Sequence, residues 1–353
     1  MEIIFNPPVN KANKYISIMV DALEVSGYRV HPLDNFFSGL KHFNSIKLVH
    51  LNWFENLDDT SYTKMISSFI KKSLVLEVIR MSGKKLVWTM HNRVSHEKQS
   101  GHLSNILTRK LIRYSHAIII HCSQSRDLLL EIHPSLASKI HYLPHPDFIE
   151  SYGPVVKEND QNGALKLLFL GAIKPYKNIE LLIKTAGHLE DKVELTIAGN
   201  SKSEDYKKHL SRFAGIFNNI KLKLEFIPDK DIPKLIRGCD LLVLPYALNS
   251  SLNSGTVLLA FSYGKTVICP EIGTLADMKE VGSQFLSYDY ESEEEHATKL
   301  NKMMETAFFL KKSDPEIFRN MGAKMFQYVK DNHSKKMVTE GLKQVYQAVL
   351  KRK

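Results

Sequence analysis

LLVLPYALNSSLNSGTVLLAFSYGKTVICP, residues 241–270, decides how the rest of the chain is read. An apolar run from Leu241 to Leu244 stops at Pro245, and a loop rich in Asn and Ser leads to Ser254-Gly255-Thr256. A short apolar helix follows, then Gly264 and a second apolar run, Val267 to Cys269. Two short, wholly apolar runs joined by a helix are what a parallel sheet covered on both faces requires. The turn Asn253-Ser254-Gly255-Thr256 then falls at the carboxyl end of a strand and opens a helix. Unpaired N–H groups and the helix dipole make such a turn an anion site, and glycine lets a phosphate approach the backbone. The segment from Tyr246 through Thr256 reads as a pyrophosphate cradle.

A partner lies upstream. The apolar run Leu167 to Leu170 breaks at Gly171, and Ala172-Ile173-Lys174-Pro175-Tyr176-Lys177 precedes a helical pattern from Ile179. Lys174 and Lys177 sit just past a strand end, where cations reach a phosphate from the other side. The pattern Gly-x-x-Lys-Pro-Tyr-Lys-Asn, then Asp240, Leu-Pro-Tyr, Ser-Gly and Gly-Lys, resembles the donor-binding half of GT-B glycosyltransferases. The nearest likeness is to the GT4-like enzymes that build bacterial surface polysaccharides. It is clear over residues 165–285 and looser over 1–150. The resemblance implies an α/β fold of two doubly wound, Rossmann-like domains facing across a cleft, with a C-terminal helix returning to the first domain.

Bulk properties agree. A chain of 353 residues suggests two domains. A composition 43% hydrophobic and 24% charged belongs to a globular protein. No apolar run approaches the roughly 20 residues of a membrane span, and the N-terminus reads as a first strand rather than a leader. Cys122, Cys239 and Cys269 lie in or beside apolar runs without zinc spacing and read as buried, reduced thiols, so the expected location is cytoplasmic. Between Lys64 and Arg113 stand eleven Lys/Arg against two acids, a local charge of +9. Two helical patterns, Tyr62 to Met81 and Leu103 to Tyr114, carry it. Such faces suit an anionic membrane surface or a phosphate-bearing acceptor, and equally simple solvation; no nucleic-acid motif accompanies them.

Strand and helix patterns alternate through residues 1–150, which implies right-handed βαβ units. The polar stretch 151–164 reads as a linker. A second alternation occupies 165–330, and 331–353 is the terminal helix that the resemblance returns to the first domain. In doubly wound sheets the ligand crevice opens at the carboxyl ends of the strands. Nine polar clusters follow strands here, among them Asn10 and Asn13, His50-Leu51-Asn52-Trp53, His91-Asn92 with His96, His121 and His145.

Sugar transfer from a nucleoside diphosphate builds negative charge on the departing pyrophosphate, so cations and preorganised N–H groups there supply the largest catalytic effect. Lys174 and Lys177 are assigned to the diphosphate together with the N–H groups of Ser254, Gly255 and Thr256. Gly171 starts the first of these loops. By family analogy the nucleobase lies near Ile227 and Pro228, and Gly199-Asn200 lines the cleft. The resemblance also implies catalysis without metal, and no Asp-x-Asp triplet is present. Many relatives carry two glutamates eight residues apart near the donor loop; the corresponding positions here are Ser251 and Leu259. On the acceptor side His91 leads, able to take a hydroxyl proton or to hydrogen-bond the donor sugar, or else merely to end its strand. Asn10, Asn13, Asn92, His96 and His145 are the accompanying acceptor residues. Tyr15 and Trp53 could stack on a sugar, though packing explains both.

The expected function is a metal-independent glycosyltransferase of the hexosyltransferase type, with no cofactor beyond its nucleotide-sugar donor. Its acceptor is a glycan or a polyprenyl-linked glycan, and its place the inner face of the cell membrane, held peripherally through Lys64–Arg113. Two alternatives stay open: another GT-B sugar enzyme, such as an epimerase or a sugar-phosphate synthase, and a non-catalytic nucleotide-sugar-binding partner.

Overall fold

The computed structural model describes residues 1–10, 13–58, 60–93, 101–154 and 163–351. The chain begins β1 (Glu2–Asn6), α1 (Lys14–Val25), β2 (Arg29–His31), α2 (Leu40–Ser45), β3 (Leu48–Asn52) and α3 (Tyr62–Met81). It continues β4 (Lys85–Met90), α4 (Gly101–Tyr114), β5 (Ala117–Ile120), α5 (Ser123–Ile132) and β6 (Ile140–Tyr142). Next come β7 (Leu165–Leu170), α6 (Ile179–Gly187), β8 (Val193–Ala198), α7 (Glu204–Ala214), β9 (Ile220–Lys223) and α8 (Ile232–Arg237). Then follow β10 (Leu241–Val243), α9 (Gly255–Ser262), β11 (Thr266–Pro270), α10 (Gly273–Ala276) and β12 (Leu286–Tyr288). Three helices close the chain: α11 (Glu293–Ser313), α12 (Ile317–Asn332) and α13 (Lys335–Lys351).

These elements form two compact units, Met1–Pro146 with His333–Lys353, and Asp147–Asn332. Each holds one six-stranded sheet, ordered β2-β1-β3-β4-β5-β6 in the first and β12-β11-β10-β7-β8-β9 in the second. Every strand pairing is parallel. Helices on both faces bury the inner strands: all of β3, β5, β10 and β11 is buried. That is why those strands read as unbroken apolar runs. Strand order reverses between β1 and β3 in the first sheet, and between β7 and β10 in the second. Those reversals place one crevice in each unit.

The chain leaves the first unit after Pro146 and comes back to it at His333, while α12 stays with the second. Most of the stretch read as linker, residues 155–162, lies outside the described residues. Helix α13 buries Val338, Leu342, Val345, Tyr346 and Val349, and Tyr346 makes an edge contact with Tyr28.

Candidate active site

In the second unit, the ends of β7 and β10 frame the crevice. Gly171 follows β7 and takes φ +148, while Gly199 follows β8 at the same φ. A Cβ on Gly199 would stand 1.8 Å from the Gly171 carbonyl oxygen, so the two loops touch only because residue 199 is glycine. Ile173 N–H donates to the Asn200 carbonyl at 2.9 Å, tying the lysine-bearing loop to β8's end. Asn178, in the left-handed region, donates through Nδ2 to the Pro245 carbonyl at 2.9 Å and so ties that loop to β10.

Lys177 is drawn inward by this arrangement. Its Nζ lies 4.0 Å from the centre of the Tyr246 ring, and burial lowers its pKa. Tyr246 is itself buried, its phenol pushed up to about 12 by burial, and Ser254 Oγ donates to its hydroxyl at 3.2 Å. Lys174 is exposed, 5.6 Å from the Tyr176 ring. Ser254 caps α9, its Oγ accepting from Val257 N–H at 3.2 Å, while its own N–H donates to Thr274 Oγ1 at 3.1 Å. The Ser254 N–H is therefore spent within the fold, a correction to its assignment as a phosphate donor. Gly255 and Thr256, the first residues of α9, keep N–H groups that no helix carbonyl can reach.

The first unit finishes its crevice with rings. Asn6 and Asn52 end β1 and β3, and Asn52 Nδ2 donates to the Asn6 carbonyl at 3.3 Å. Asn52 Oδ1 then accepts from His91 Nε2–H at 3.0 Å. That bond leaves the lone pair of the neutral ring on Nδ1. Trp53, at φ +49, stacks on His91 with centroids 4.0 Å apart. Tyr15 stands at the middle of the group, with ring contacts to Trp53, His91, His121 and His145. Its hydroxyl donates to His121 Nε2 at 3.0 Å, because His121 Nδ1–H is given to the Leu143 carbonyl at 2.8 Å. His50 bridges Tyr346 and Thr89, both at 2.7 Å. Burial lowers the pKa of every one of these imidazoles: His50 and His145 to about 3, His121 to about 4, and His91 well below the usual value. At neutral pH all four are uncharged.

The basic segment is sorted by the fold. Lys72 donates to the Phe54 and Asn56 carbonyls, Lys84 to those of Phe43 and Ile46, and Lys110 and Arg80 pair with Glu77. Lys64, Lys71, Arg109 and Arg113 stay exposed. Along α3, Tyr62, Ile66, Ile70 and Leu74 recur every fourth residue, with Tyr62 at 74% and Leu74 at 61% exposure. No described helix is long and apolar enough to cross a membrane.

Residues 155–324 match the glycosyl transferases group 1 family. Over 298 residues the chain is 25% identical to a GDP-mannose:glycolipid 4-beta-D-mannosyltransferase of Xanthomonas campestris pv. campestris, covering 81% of this chain and 78% of the relative. Its structure superposes on that of Anabaena HepE in complex with UDP and glucose, with a TM-score of 0.71 at 13% identity over 98% and 99% of the two chains. Sucrose-phosphate synthase from Thermosynechococcus elongatus superposes with a TM-score of 0.74, also at 13% identity, over 99% of each chain. The chain's second unit carries a glycosyl transferases group 1 domain, and its fold is GT-B.

Within this GT-B fold the predicted residues fall into three groups. Gly171, Lys177, Tyr246, Ser254, Gly255 and Thr256 gather at the second unit's switch point, with Asn253 immediately before the cap. Asn200 contributes its carbonyl to the loop beneath them, while Ile227 and exposed Pro228 sit past the end of β9. In the first unit His91 and His145 join the ring cluster. Asn13 caps α1 through Oδ1 to Tyr15 N–H at 2.9 Å, and the Asn10 carbonyl accepts from Asn13 N–H. Asn92 follows His91, and His96 lies outside the described residues. Two other pattern residues of this chain are structural. Asp240 takes Lys311 in a buried pair at 2.7 Å, and Lys265 donates to the Cys239 carbonyl. Asn52 and Thr274 escaped prediction as partners, since each acts on a residue more than nineteen positions away.

Proposed function

We propose that this protein moves a glycosyl group from a nucleoside-diphosphate sugar to a lipid-linked glycan at an anionic membrane surface. The setting is bacterial surface polysaccharide synthesis on the cytoplasmic side. The observation that carries the reading is the second unit's switch point, where Gly171 faces Thr256 at the start of α9 and Lys177 rests on Tyr246, which Ser254 bonds one residue before the open N–H groups of Gly255 and Thr256. A diphosphate fits that chemistry: two acceptor-rich anionic groups meet a partly desolvated cation and a helix N-terminus.

In the reaction, the acceptor hydroxyl oxygen bonds to the anomeric carbon as that carbon's bond to the diphosphate oxygen breaks. The departing electron pair rests on the nucleoside diphosphate, which Lys177 and the two N–H groups stabilise without a metal ion. The hydroxyl proton passes to neutral His91 at Nδ1, its ring held in that tautomer by Asn52. The Xanthomonas relative's name supports a GDP-sugar donor and a glycolipid acceptor. The apolar edge of α3, flanked by Lys64 and Lys71, supports attachment to lipid.

The test incubates purified protein with GDP-mannose or UDP-glucose, with and without a polyprenyl-diphosphate-linked oligosaccharide. The expected product is a glycan one sugar longer that forms only when donor and lipid acceptor are both present. Free sugar alone, or transfer only to a small phosphorylated sugar, would overturn the proposed acceptor class.

A further inference from the structure

Away from both crevices, Glu2, His31 and His42 converge at one corner of the first unit. They come from the start of β1, the end of β2 and the middle of α2. Glu2 Oε2 lies 4.0 Å from His31 Nε2 and 3.7 Å from His42 Nδ1, and the two imidazoles meet edge to face with centroids 4.7 Å apart. One donor atom from each residue can be chosen so that all three lie within 4.8 Å of one another. Both Nε2 atoms are buried, with no hydrogen-bond partner among the described residues. A buried ring nitrogen without a partner is costly. Here two occur on adjoining rings, and the Glu2 carboxylate faces His31 through Nε2 and His42 through Nδ1.

From this geometry we infer that Glu2, His31 and His42 form a binding site for a divalent transition metal of the Zn²⁺ class, a structural clip outside the glycosyl-transfer machinery. Two imidazoles and a carboxylate are a donor set that zinc accepts, with a water completing the tetrahedron. Tetrahedral zinc holds its ligand atoms about 3.4 Å apart. The three side chains, each partly solvent-accessible, close that far by small rotations. Ser45 Oγ already donates to Glu2 Oε2 and orients the carboxylate as a supporting partner would. The Arg29 guanidinium, 3.4 Å from Oε1 and 74% exposed, is free to swing into solvent as the cation enters.

The corner has reason to need a clip. Helix α2 spans six residues and buries none of them, its N-terminal Gly39 offers no side-chain cap, and β2 is a three-residue edge strand. A metal would join three elements that otherwise share little core. Glu2 is four residues upstream of Asn6 on the same strand, about 13 Å from the crevice. The site therefore stands apart from the proposed chemistry. Ligands spread over positions 2, 31 and 42 give no recognisable zinc spacing, which is why the sequence is silent about them.

Tag-free full-length protein, stripped with chelator and dialysed against micromolar ZnCl₂, should retain one zinc per chain and unfold at a higher temperature than the stripped form. Co²⁺ in place of zinc should give the visible absorption bands of a four-coordinate site. His31→Ala/His42→Ala should lose the metal, the bands and the thermal shift. Glu2→Gln, which preserves shape, should weaken zinc binding at least tenfold. Circular dichroism of the stripped variants guards against misfolding. No zinc retained by the wild type, or an unchanged stoichiometry in both variants, would overturn the site.

Discussion

At the first unit's switch point Asn6 and Asn52 end neighbouring strands, and rings fill the space beyond them: His91 stacked on Trp53, with Tyr15 against His121 and His145. At the second unit's switch point the same position in the topology is kept nearly bare. Gly199 lets two loops touch there, and Lys177 rests on the face of Tyr246. Each solution suits the charge that the proposed reaction would handle there. A diphosphate is bound by donors left unsatisfied until it arrives. A proton acceptor must be kept uncharged, and packing imidazoles among aromatic rings achieves that by desolvation.

The largest way to break this contrast is to fill the bare crevice. Gly199→Ala puts a methyl into the Gly171 carbonyl at a φ that L residues rarely adopt. Overpacking and backbone strain together should cost about 4 kcal/mol. Chemical denaturation should show that loss on the second unit's transition. An alanine variant as stable as the wild type would mean that the loops do not need their close approach.

Next come the two groups assigned opposite tasks. Lys177→Ala should weaken nucleoside diphosphate binding and slow turnover by about 10²-fold. His91→Ala should slow turnover by a similar factor or more, yet leave nucleotide affinity unchanged in calorimetry. Lys174→Ala, at an exposed position, should cost less than Lys177→Ala. The sequence made the two lysines equals; the structure separates them. If His91→Ala loses nucleotide affinity, the division of labour fails.

Legibility followed packing. Strands buried on both faces announced themselves because no solvent-facing residue interrupts them, and α3 matches its expected bounds residue for residue. Helix α2 carried no signal, since a helix that buries nothing has no periodicity to read. The glycines and lysines of the second crevice were visible because they cluster within short loops. The ring cluster was only half visible: His91 and His145 stood out at strand ends, but their common neighbour Tyr15 sits inside a helix pattern, where an aromatic reads as ordinary core. The fate of the Ser254 N–H was invisible, for its acceptor Thr274 lies on another helix.

A smaller effect concerns acid. His50, His121 and His145 hold folded pKa values of about 3 to 4, below the unfolded value near 6.5. The unfolded chain therefore binds more protons between those limits. Stability is fully present above pH 6.5 and falls as pH drops toward 4, by up to about 1.4 kcal/mol per pH unit for each histidine. Melting temperatures at pH 7.5 and 5.5 should show the first unit failing first. The second unit carries one comparable group, His296, whose pKa burial lowers to about 4. A pH-independent melt would show that the ring cluster is open to water.

The gentlest perturbation leaves both crevices alone. Ile70→Glu/Leu74→Glu on α3 should reduce binding to anionic liposomes several-fold, and salt should release the wild type as screening shortens from about 10 Å at 0.1 M to about 3 Å at 1 M. Transfer to a water-soluble acceptor analogue should persist. Equal adsorption to neutral vesicles would assign the stripe to something other than an anionic surface.

Helix α13 imposes an order of assembly on all this. The first unit is made partly before the second and partly after it. Until the later part emerges, His50 has no Tyr346 to bond, and α1 has no helix to cover its outer side. The nascent protein must therefore carry an unfinished first unit through synthesis of the whole second one. A message cut short just before His333 yields every residue of the second unit beside a first unit that lacks α13.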